Sequence, residues 1–185
     1  MLNPPILTGE KIVLRPITKG DAADMFAALS DEEGMRLTGT QAEFTIEQVE
    51  AFCEKVSKAD DRVDYAIALK SDPQMKYIGE VVLNEIDEDN HSASFRIALQ
   101  GKAFFGKGYG TEATRLIVDF GFETLNLYRI ELEVYDFNPR AQRVYEKIGF
   151  VREGIRRDVL LWDGVYQSGI LMSLLRPEWE ASKQA

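Results

Sequence analysis

The sequence predicts an α/β fold, built as an α+β mixed sheet with packed helices and a β-hairpin at its carboxyl end. Three observations carry this prediction: strand-like segments fill much of the first half, two helices flank one strand in the second half, and a clear hairpin turn follows. Strands that alternate with helices favour parallel pairing, whereas a hairpin pairs antiparallel strands. The length lies within the usual domain size of about 50–250 residues, so residues 1–185 are expected to form a single domain.

The first half of the chain is expected to form four strands and two helices. β-branched and aromatic residues mark the strands, and apolar residues at helical spacing mark the helices. The elements are the strand Lys11–Pro16, the helices Asp21–Leu29 and Thr45–Val56, and the strands Val63–Leu69, Tyr77–Ile86 and Ser92–Leu99. We expect the first helix to turn Met25, Phe26 and Leu29 inward, and the polar segment Ser30–Phe44 to be irregular.

Three glycines at alternate positions, Gly106, Gly108 and Gly110, directly precede an amphipathic helix. Glycines let consecutive backbone N–H groups converge on an anion, and the start of a helix adds unpaired donors and a positive dipole end. The apolar face of the helix contains Ala113, Leu116, Ile117 and Phe120. The run therefore predicts a phosphate-binding loop, with a glycine-rich turn that binds no ligand as the alternative.

Two common nucleotide-binding motifs do not fit this loop. A dinucleotide fingerprint needs G-x-G-x-x-G near the start of its domain, whereas here the third glycine comes one residue early and late in the chain. Gly101 together with Gly106 and Lys107 imitates a P-loop, but Gly108 stands where a Mg²⁺-binding hydroxyl is needed. The sequence thus argues against NAD, ATP and GTP.

A second motif begins at Asn138 and predicts a complete short helix. Asn138 is a good N-cap, Pro139 suits the first helical position, and Gly149 can adopt the left-handed conformation that ends a helix. One face is apolar and contains Ala141, Val144, Tyr145 and Ile148. On this pattern alone, Tyr145 is an ordinary core tyrosine.

One strand, Arg129–Tyr135, lies between these two helices, and a hairpin follows the second of them. Asp163 and Gly164 form a preferred two-residue turn between the strand-like segments Ile155–Trp162 and Val165–Leu174. These elements complete the order of strands, helix, strand, helix and hairpin on which the mixed-sheet prediction rests.

The glycine loop and the Asn138 helix, in this order and at this separation, resemble two motifs of the GNAT N-acetyltransferase superfamily. In that family a (Gln/Arg)-x-x-Gly-x-(Gly/Ala) loop binds the acyl-CoA pyrophosphate, and the tyrosine of a later Asn-x-x-Ala-x-x-x-Tyr-x-x-x-Gly-Phe segment protonates the CoA thiolate. The chain is similar to the branch of ribosomal-protein N-terminal acetyltransferases and spermidine acetyltransferases over most of its length. The segments that carry this likeness are Leu14-Arg15-Pro16, Ile78-Gly79, Gly106-Lys107-Gly108-Tyr109, Thr111-Glu112-Ala113 and Leu125-Asn126-Leu127-Tyr128.

The resemblance implies a GNAT-like fold in which neighbouring central strands splay apart beside the glycine loop and leave a slot for pantetheine. It also implies acetyl-CoA as the acyl donor, with the oxyanion held by backbone N–H groups near Ala98 and Leu99. Phe105 replaces the usual Gln/Arg, an exchange common in this branch. The implied cofactor-binding residues are Ile97, Ala98, Leu99, Phe105, Gly106, Lys107, Gly108, Tyr109, Gly110, Thr111 and Asn138.

The implied reaction moves an acetyl group directly to a primary amine, either a protein or peptide N-terminus or a small cationic amine. Tyr145 is then the expected proton donor, since a tyrosine with the reference pKa of about 10 is protonated at pH 7. Glu85 is the first candidate general base and Glu80 the second, with solvated strand carboxylates as the alternative interpretation of both. Ser94 occupies a strand position where many relatives have an acid. The alternative function is a catalytically weak module that binds acyl-CoA as a sensor or assembly part.

Relatives contact the acceptor through the segment between the first two helices and through the terminal hairpin. The corresponding candidates are Met35, Thr38, Gln41, Phe44, Trp162 and Tyr166. Gln167 and Ser168 follow the hairpin turn where relatives commonly place an acid or a histidine, so their acceptor preferences are not transferred to this chain.

Composition restricts the partners. A net charge of −9 argues against nucleic acid, which needs clustered Lys and Arg; it suits a cationic acceptor or serves solubility alone. His91 is the sole histidine, and no metal site is expected. Residues Met1–Pro5 lack the apolar run of a signal peptide, and no stretch reaches the ~18 apolar residues of a membrane span, so we expect a cytoplasmic protein without membrane contacts. The single cysteine, Cys53, is expected to be a buried inert thiol. The sequence does not decide between a monomer and a homodimer.

Overall fold

The computed structural model describes residues 4–184, in which helices cover both faces of one β-sheet. The strands are β1 (Leu7–Thr8), β2 (Ile12–Pro16), β3 (Val63–Leu69), β4 (Tyr77–Asp87), β5 (Ser92–Leu99), β6 (Arg129–Tyr135), β7 (Val151–Trp162) and β8 (Val165–Leu175). The helices are α1 (Ala22–Ala28), α2 (Glu32–Thr38), α3 (Ile46–Val56), α4 (Tyr109–Glu123), α5 (Pro139–Ile148) and α6 (Arg176–Lys183). Met1, Leu2 and Asn3 of the segment that was expected to lack a signal peptide lie outside the described residues, as does Ala185.

The sheet is mixed, as the sequence predicted. Its eight strands follow the order β1-β2-β3-β4-β5-β6-β8-β7. Among the described strands only β5 and β6 pair in parallel, and every other neighbouring pair is antiparallel. This parallel pair lies in the middle of the sheet and joins its amino-terminal and carboxyl-terminal halves.

The terminal hairpin has the predicted turn. Asp163 and Gly164 have φ values of 48° and 77°, and positive φ at both central residues is the requirement of a type I′ turn. The strand before the turn is longer than predicted, because β7 begins at Val151 rather than at Ile155. The predicted bounds of β3, β5 and β6 match the observed ones.

One face of the sheet is covered by α4 and α5, whose apolar faces are those predicted. The Asn138 side chain accepts a hydrogen bond from the Ala141 amide (3.2 Å), and Gly149 ends α5 with φ at 115°. The residues of these two helices that enter the large core are Ala113, Ile117, Val118, Phe120, Phe122, Tyr145 and Ile148. This packing fixes the start of α4 and the middle of α5 against β5.

The opposite face carries a smaller core beneath α1 and α3. It contains Val49, Cys53 and Val56 of α3 together with Ile17, Ala22, Ala66 and Tyr77. Burial raises the pKa of the Cys53 thiol to about 11, so that the thiol is protonated at neutral pH. The prediction that Cys53 is buried is therefore confirmed.

Two predictions about helices are wrong, and one helix was not foreseen. The segment Ser30–Phe44 is not wholly irregular, since it contains α2, a helix of two turns that ends at Gly39 with φ at 67°. Phe26 does not point inward and is 37% exposed, because α1 is only seven residues long and buries chiefly its Met25 side. The helix α6 after the hairpin was not predicted. None of the described helices is long and apolar enough to cross a membrane.

Candidate active site

The glycine loop adopts a conformation that only glycine accepts readily. Gly106 and Gly108 have φ values of 73° and 87°, in the left-handed region, and Gly108 is the N-cap of α4. Gly110 differs, because it lies within the first turn of α4 and has no positive φ. A Cβ on Gly110 would lie 3.7 Å from Leu99 Cδ1, so this glycine lets the helix start approach β5.

The backbone of this loop is suited to hold an anion. The amides from Gly106 to Thr111 donate to no acceptor among the described residues, and the first backbone bond of the helix runs from Glu112 N to Gly108 O. A Cβ on Gly106 would meet no atom within 4 Å, and one on Gly108 would meet only Lys11 Nζ at 3.7 Å. Packing within the chain therefore does not require these glycines. A helix start with free amides and a positive dipole end fits a pyrophosphate group.

Two cationic side chains flank the loop, and sequence reasoning missed both. The Lys11 ammonium donates to the Lys107 carbonyl (3.4 Å), while the Lys11 amide donates to Glu112 Oε1 (3.0 Å). On the other side, the Arg140 guanidinium lies 4.1 Å from the centre of the Phe105 ring. Each contact joins elements far apart in the chain, so no local signal marks it. Both cations add positive potential beside the free amides.

Replacing Gly108 by valine is expected to abolish the thermal stabilisation that CoA provides. A β-branched residue resists φ near 87° and would turn the neighbouring amides away from a shared point. CoA at about 100 times its Kd should raise the Tm of the wild type by roughly 5–10 °C. Gly154→Val is the control, since Gly154 has no positive φ and a Cβ added there would meet no atom within 4 Å. A folded Gly108→Val variant that keeps wild-type affinity would refute the assignment of the loop.

The strands β5 and β6 separate beside the loop. They pair only at Ser92–Arg129, Ala93–Ile130 and Ser94–Glu131, although β5 continues to Leu99. We call the point beyond Ser94 and Glu131 the vertex. From the vertex towards the loop, β5 remains paired with β4 on one side only. The other edge of Phe95–Leu99 therefore offers free backbone groups along the predicted pantetheine slot.

Tyr145 lies beside the vertex, on the face of the sheet that α4 and α5 cover. Its side chain is buried, and its ring makes an edge-to-face contact with Phe95 at 5.8 Å and a tilted one with Phe150 at 5.9 Å. Burial raises the pKa of Tyr145, and no hydrogen bond contributes to this shift. The phenol is therefore protonated at neutral pH, and its O–H remains available because no residue in the described range 4–184 accepts a hydrogen bond from it.

Glu85 reaches the same part of β5 from the neighbouring strand. A bulge in β4 shifts the register between Asn84–Ser94 and Asp87–Ser92, and Glu85 within it has φ at 53°. Positive φ is unusual for a residue other than glycine, and a β-bulge can redirect a side chain. Here the carboxylate accepts a hydrogen bond from Ser94 Oγ at 2.7 Å. Glu85 thus places a carboxylate beside the strand position that Ser94 occupies.

Glu80, the second candidate base, lies elsewhere. It pairs across the sheet with Ala98, four residues from Ser94 and hence about 13 Å along the strand. Burial raises the pKa of Glu80, while the Arg96 guanidinium opposes the shift, and Glu80 Oε2 is buried without a partner in the described structure. The carboxyl group lies close to Cys53 on the face that α3 covers.

The predicted acceptor residues are brought only partly together. Gln41 Nε2 donates to the Leu161 carbonyl (2.6 Å), which fastens the segment after α2 to the hairpin next to Trp162. The end of α2 also meets β6, since a Cβ on Gly39 would lie 2.5 Å from the Tyr135 hydroxyl. Thr38 Oγ1 bonds to its own helix, and Phe44 and Tyr166 are 42% and 63% exposed. The segment from α2 to Gln41 thus spans β6 and the hairpin, and Tyr135 is a contact that the sequence did not indicate.

Comparison with known proteins decides the family. Residues 11–151 match the model of the family described as “Acetyltransferase (GNAT) domain”. The chain belongs to the GNAT acetyltransferase family. It is accordingly an acetyl-CoA-dependent N-acetyltransferase, and the predicted fold and cofactor are confirmed.

The similarity to other proteins covers most of this GNAT chain in some relatives and about half of it in others. “Probable N-acetyltransferase YjcK” of Bacillus subtilis strain 168 is 32% identical over 183 residues, 95% of this chain and 99% of the relative. The spermidine N(1)-acetyltransferase of Escherichia coli K12 is 35% identical over 103 residues, 56% of this chain and 55% of the relative. The crystal structure of spermidine N-acetyltransferase from Vibrio cholerae in complex with CoA and spermine has a TM-score of 0.83 and 27% identity, covering 91% of this chain and 98% of that one.

Proposed function

We propose that this GNAT enzyme acetylates a primary amine by direct transfer, with Glu85 as general base and Tyr145 as general acid. The observation that carries the proposal is the 2.7 Å hydrogen bond from Ser94 to Glu85 at the vertex. Successive side chains of a strand point to opposite faces, so Ser94 and Phe95 face opposite sides of β5. Because Tyr145 packs against Phe95, the base and the acid approach the vertex from opposite faces of the sheet.

The two groups divide the proton transfers between them. Glu85 accepts a proton from the ammonium form of the acceptor, which leaves a nitrogen lone pair free to attack. Bound acetyl-CoA supplies the thioester carbonyl carbon and a sulfur leaving group, and backbone N–H groups near Ala98 and Leu99 donate to the carbonyl oxygen. As the N–C bond forms and the C–S bond breaks, Tyr145 gives its proton to sulfur. The nitrogen loses its second proton, which restores the phenol, and Glu85 releases the first proton to solvent before the next turnover.

The residues present fit the acyl donor. The free amides of the glycine loop suit the pyrophosphate, with Lys11 and Arg140 adding positive charge, and the free edge of Ile97, Ala98 and Leu99 suits the amide groups of pantetheine. Asn138 differs from the other predicted cofactor residues, because its side-chain oxygen already accepts the Ala141 amide. We therefore expect Asn138 to act through the position of α5 rather than by direct contact.

The proposed acceptor is an unhindered cationic amine, either a small molecule or a peptide with a free N-terminus. The chain carries 31 acidic and 22 basic residues, and a negative surface raises the local concentration of cationic molecules. Three of its relatives are named for spermidine, which is consistent with this class. A cytoplasmic location stays a prediction of the sequence alone.

The acceptor class is tested by matched anionic, neutral and cationic primary amines at two salt concentrations. We expect kcat/KM to be highest for the cationic amine and to fall as ionic strength rises, because screening limits the attraction to about 8 Å at physiological salt. Polyamines, aminoglycosides, amino acids and short peptides complete the screen. Equal values across the matched set would refute the electrostatic argument. CoA binding without any acetylated product would favour the alternative function of an acyl-CoA sensor.

A further inference from the structure

A buried carbonyl oxygen without a hydrogen-bond partner lies next to the proposed base. Asn84 Oδ1 is one of three buried side-chain polar atoms that have no partner within residues 4–184; the others are Asp31 Oδ2 and Glu80 Oε2. A buried acceptor that stays unpaired costs stability, so native structures keep few of them and usually for a reason. The Asn84 amide oxygen therefore needs an explanation that the fold does not provide.

The position of Asn84 distinguishes it from the other two. Asn84 pairs directly with Ser94 across β4 and β5, and such cross-strand partners have Cβ atoms about 4.5–5.5 Å apart on one face. Ser94 in turn donates to Glu85. Asp31, by contrast, lies at the start of α2, and Glu80 lies about 13 Å along β4. Of the three, only Asn84 pairs with Ser94, the residue that also contacts the proposed base.

We propose that Asn84 Oδ1 accepts a hydrogen bond from the attacking amine and thereby selects primary amines. This inference rests on the proposed function. After Glu85 has taken one proton, a primary amine retains two N–H groups. One can bond to Asn84 while the other is lost as the amide forms. A secondary amine retains a single N–H, and this proton must leave after the N–C bond has formed, so the buried oxygen is then left unpaired.

The same chemistry explains why the oxygen has no partner among the described residues. A side chain that donated to Asn84 would compete with the amine and would have to be displaced in every turnover. The β4 bulge begins immediately after Asn84, so the amide keeps its place in the ladder while Glu85 is redirected towards Ser94. Asn84 then orients the nitrogen, and Glu85 removes its proton.

The test uses n-butylamine and N-methylbutylamine as probes with the wild type, Asn84→Leu and Asn84→Asp. Leucine has a similar volume but no acceptor, whereas aspartate keeps an oxygen in the same place. We expect the wild type to prefer n-butylamine by about 10-fold or more, and Asn84→Leu to lose about 10-fold in kcat/KM for n-butylamine and most of that preference. Asn84→Asp should keep both the wild-type kcat/KM for n-butylamine and the preference for it over N-methylbutylamine. In the presence of CoA, n-butylamine should raise the Tm of the wild type but not that of Asn84→Leu.

A stability measurement separates this role from a structural one. Replacing an unpaired buried oxygen by an apolar group of similar shape removes no contact, so the Tm of Asn84→Leu without ligands should equal or exceed that of the wild type. A lowered Tm, or an unchanged preference between the two amines, would overturn the inference, as would equal turnover of both amines by the wild type. If instead Glu85→Gln acetylates n-butylamine as fast as the wild type, the proposed function fails first.

Discussion

Replacing Glu85 by glutamine is expected to lower kcat by about 10²–10⁴-fold while CoA binding stays intact. Glutamine keeps the size of the side chain and still offers an oxygen to Ser94 Oγ, but it cannot take a proton from the amine. Steady-state kinetics at pH 7 and the thermal shift caused by CoA measure the two effects separately. The loss should appear in kcat because the base acts during transfer and not in donor binding.

The pH dependence of this variant identifies the missing step. For an amine with a reference pKa of about 10.4, the unprotonated fraction rises about tenfold with each pH unit from 7 to 9. The rate of Glu85→Gln should therefore rise with pH and approach that of the wild type, since solvent then removes the proton that Glu85 would take. A deficit that stays constant over this range would argue against a base.

Glu80→Gln is the matched comparison, because Glu80 was the second candidate and lies away from the vertex. Burial already raises the pKa of Glu80 and favours its neutral form, which glutamine imitates. We expect this variant to keep most of its activity. If Glu80→Gln loses activity and Glu85→Gln does not, the roles of the two carboxylates are reversed.

Local sequence signals predicted much of this fold because residues at the ends of the helices and strands mark where those elements stop. The helix α5 begins after Asn138 with Pro139 and ends at Gly149, as expected. The hairpin turns at Asp163 and Gly164. In each case the residue type meets a backbone requirement of its own position, such as an N-cap acceptor or positive φ. The glycine loop was found in the same way, through Gly106 and Gly108.

Features that depend on distant partners were not predictable. The short helix α2 carries little amphipathic signal of its own and is held by contacts such as Gly39 with Tyr135. The Lys11 contact with the loop joins residues 96 positions apart. Glu85 could be proposed as an acid on a strand, but a strand pattern assigns alternate faces and gives no sign of the bulge that redirects it towards Ser94.

Tyr145 required both kinds of information. Its helical spacing indicated a core residue, and its burial against Phe95 and Phe150 bears this out. The resemblance to the GNAT family added the role of proton donor, which no packing pattern can show. The two interpretations are compatible, because a ring held by aromatic neighbours can place its hydroxyl accurately beside the vertex.

Tyr145→Phe is expected to lower kcat by roughly 10- to 1000-fold and to leave both the Tm and the affinity for acetyl-CoA nearly unchanged. The substitution keeps the ring and its contact with Phe95 but deletes the hydroxyl, which has no partner in the described structure to lose. Single-turnover kinetics should show the loss in the chemical step.

Tyr65→Phe is the matched control, since Tyr65 is also buried with a raised pKa but donates its hydroxyl to the Pro5 carbonyl at 2.8 Å. Removing that bond should lower stability by about 1 kcal/mol and leave kcat unchanged. The two variants should thus have opposite effects: Tyr145→Phe lowers kcat but not stability, and Tyr65→Phe lowers stability but not kcat. If Tyr145→Phe retains wild-type kcat while chemistry limits turnover, Tyr145 is a core residue only, and the sulfur must obtain its proton from solvent.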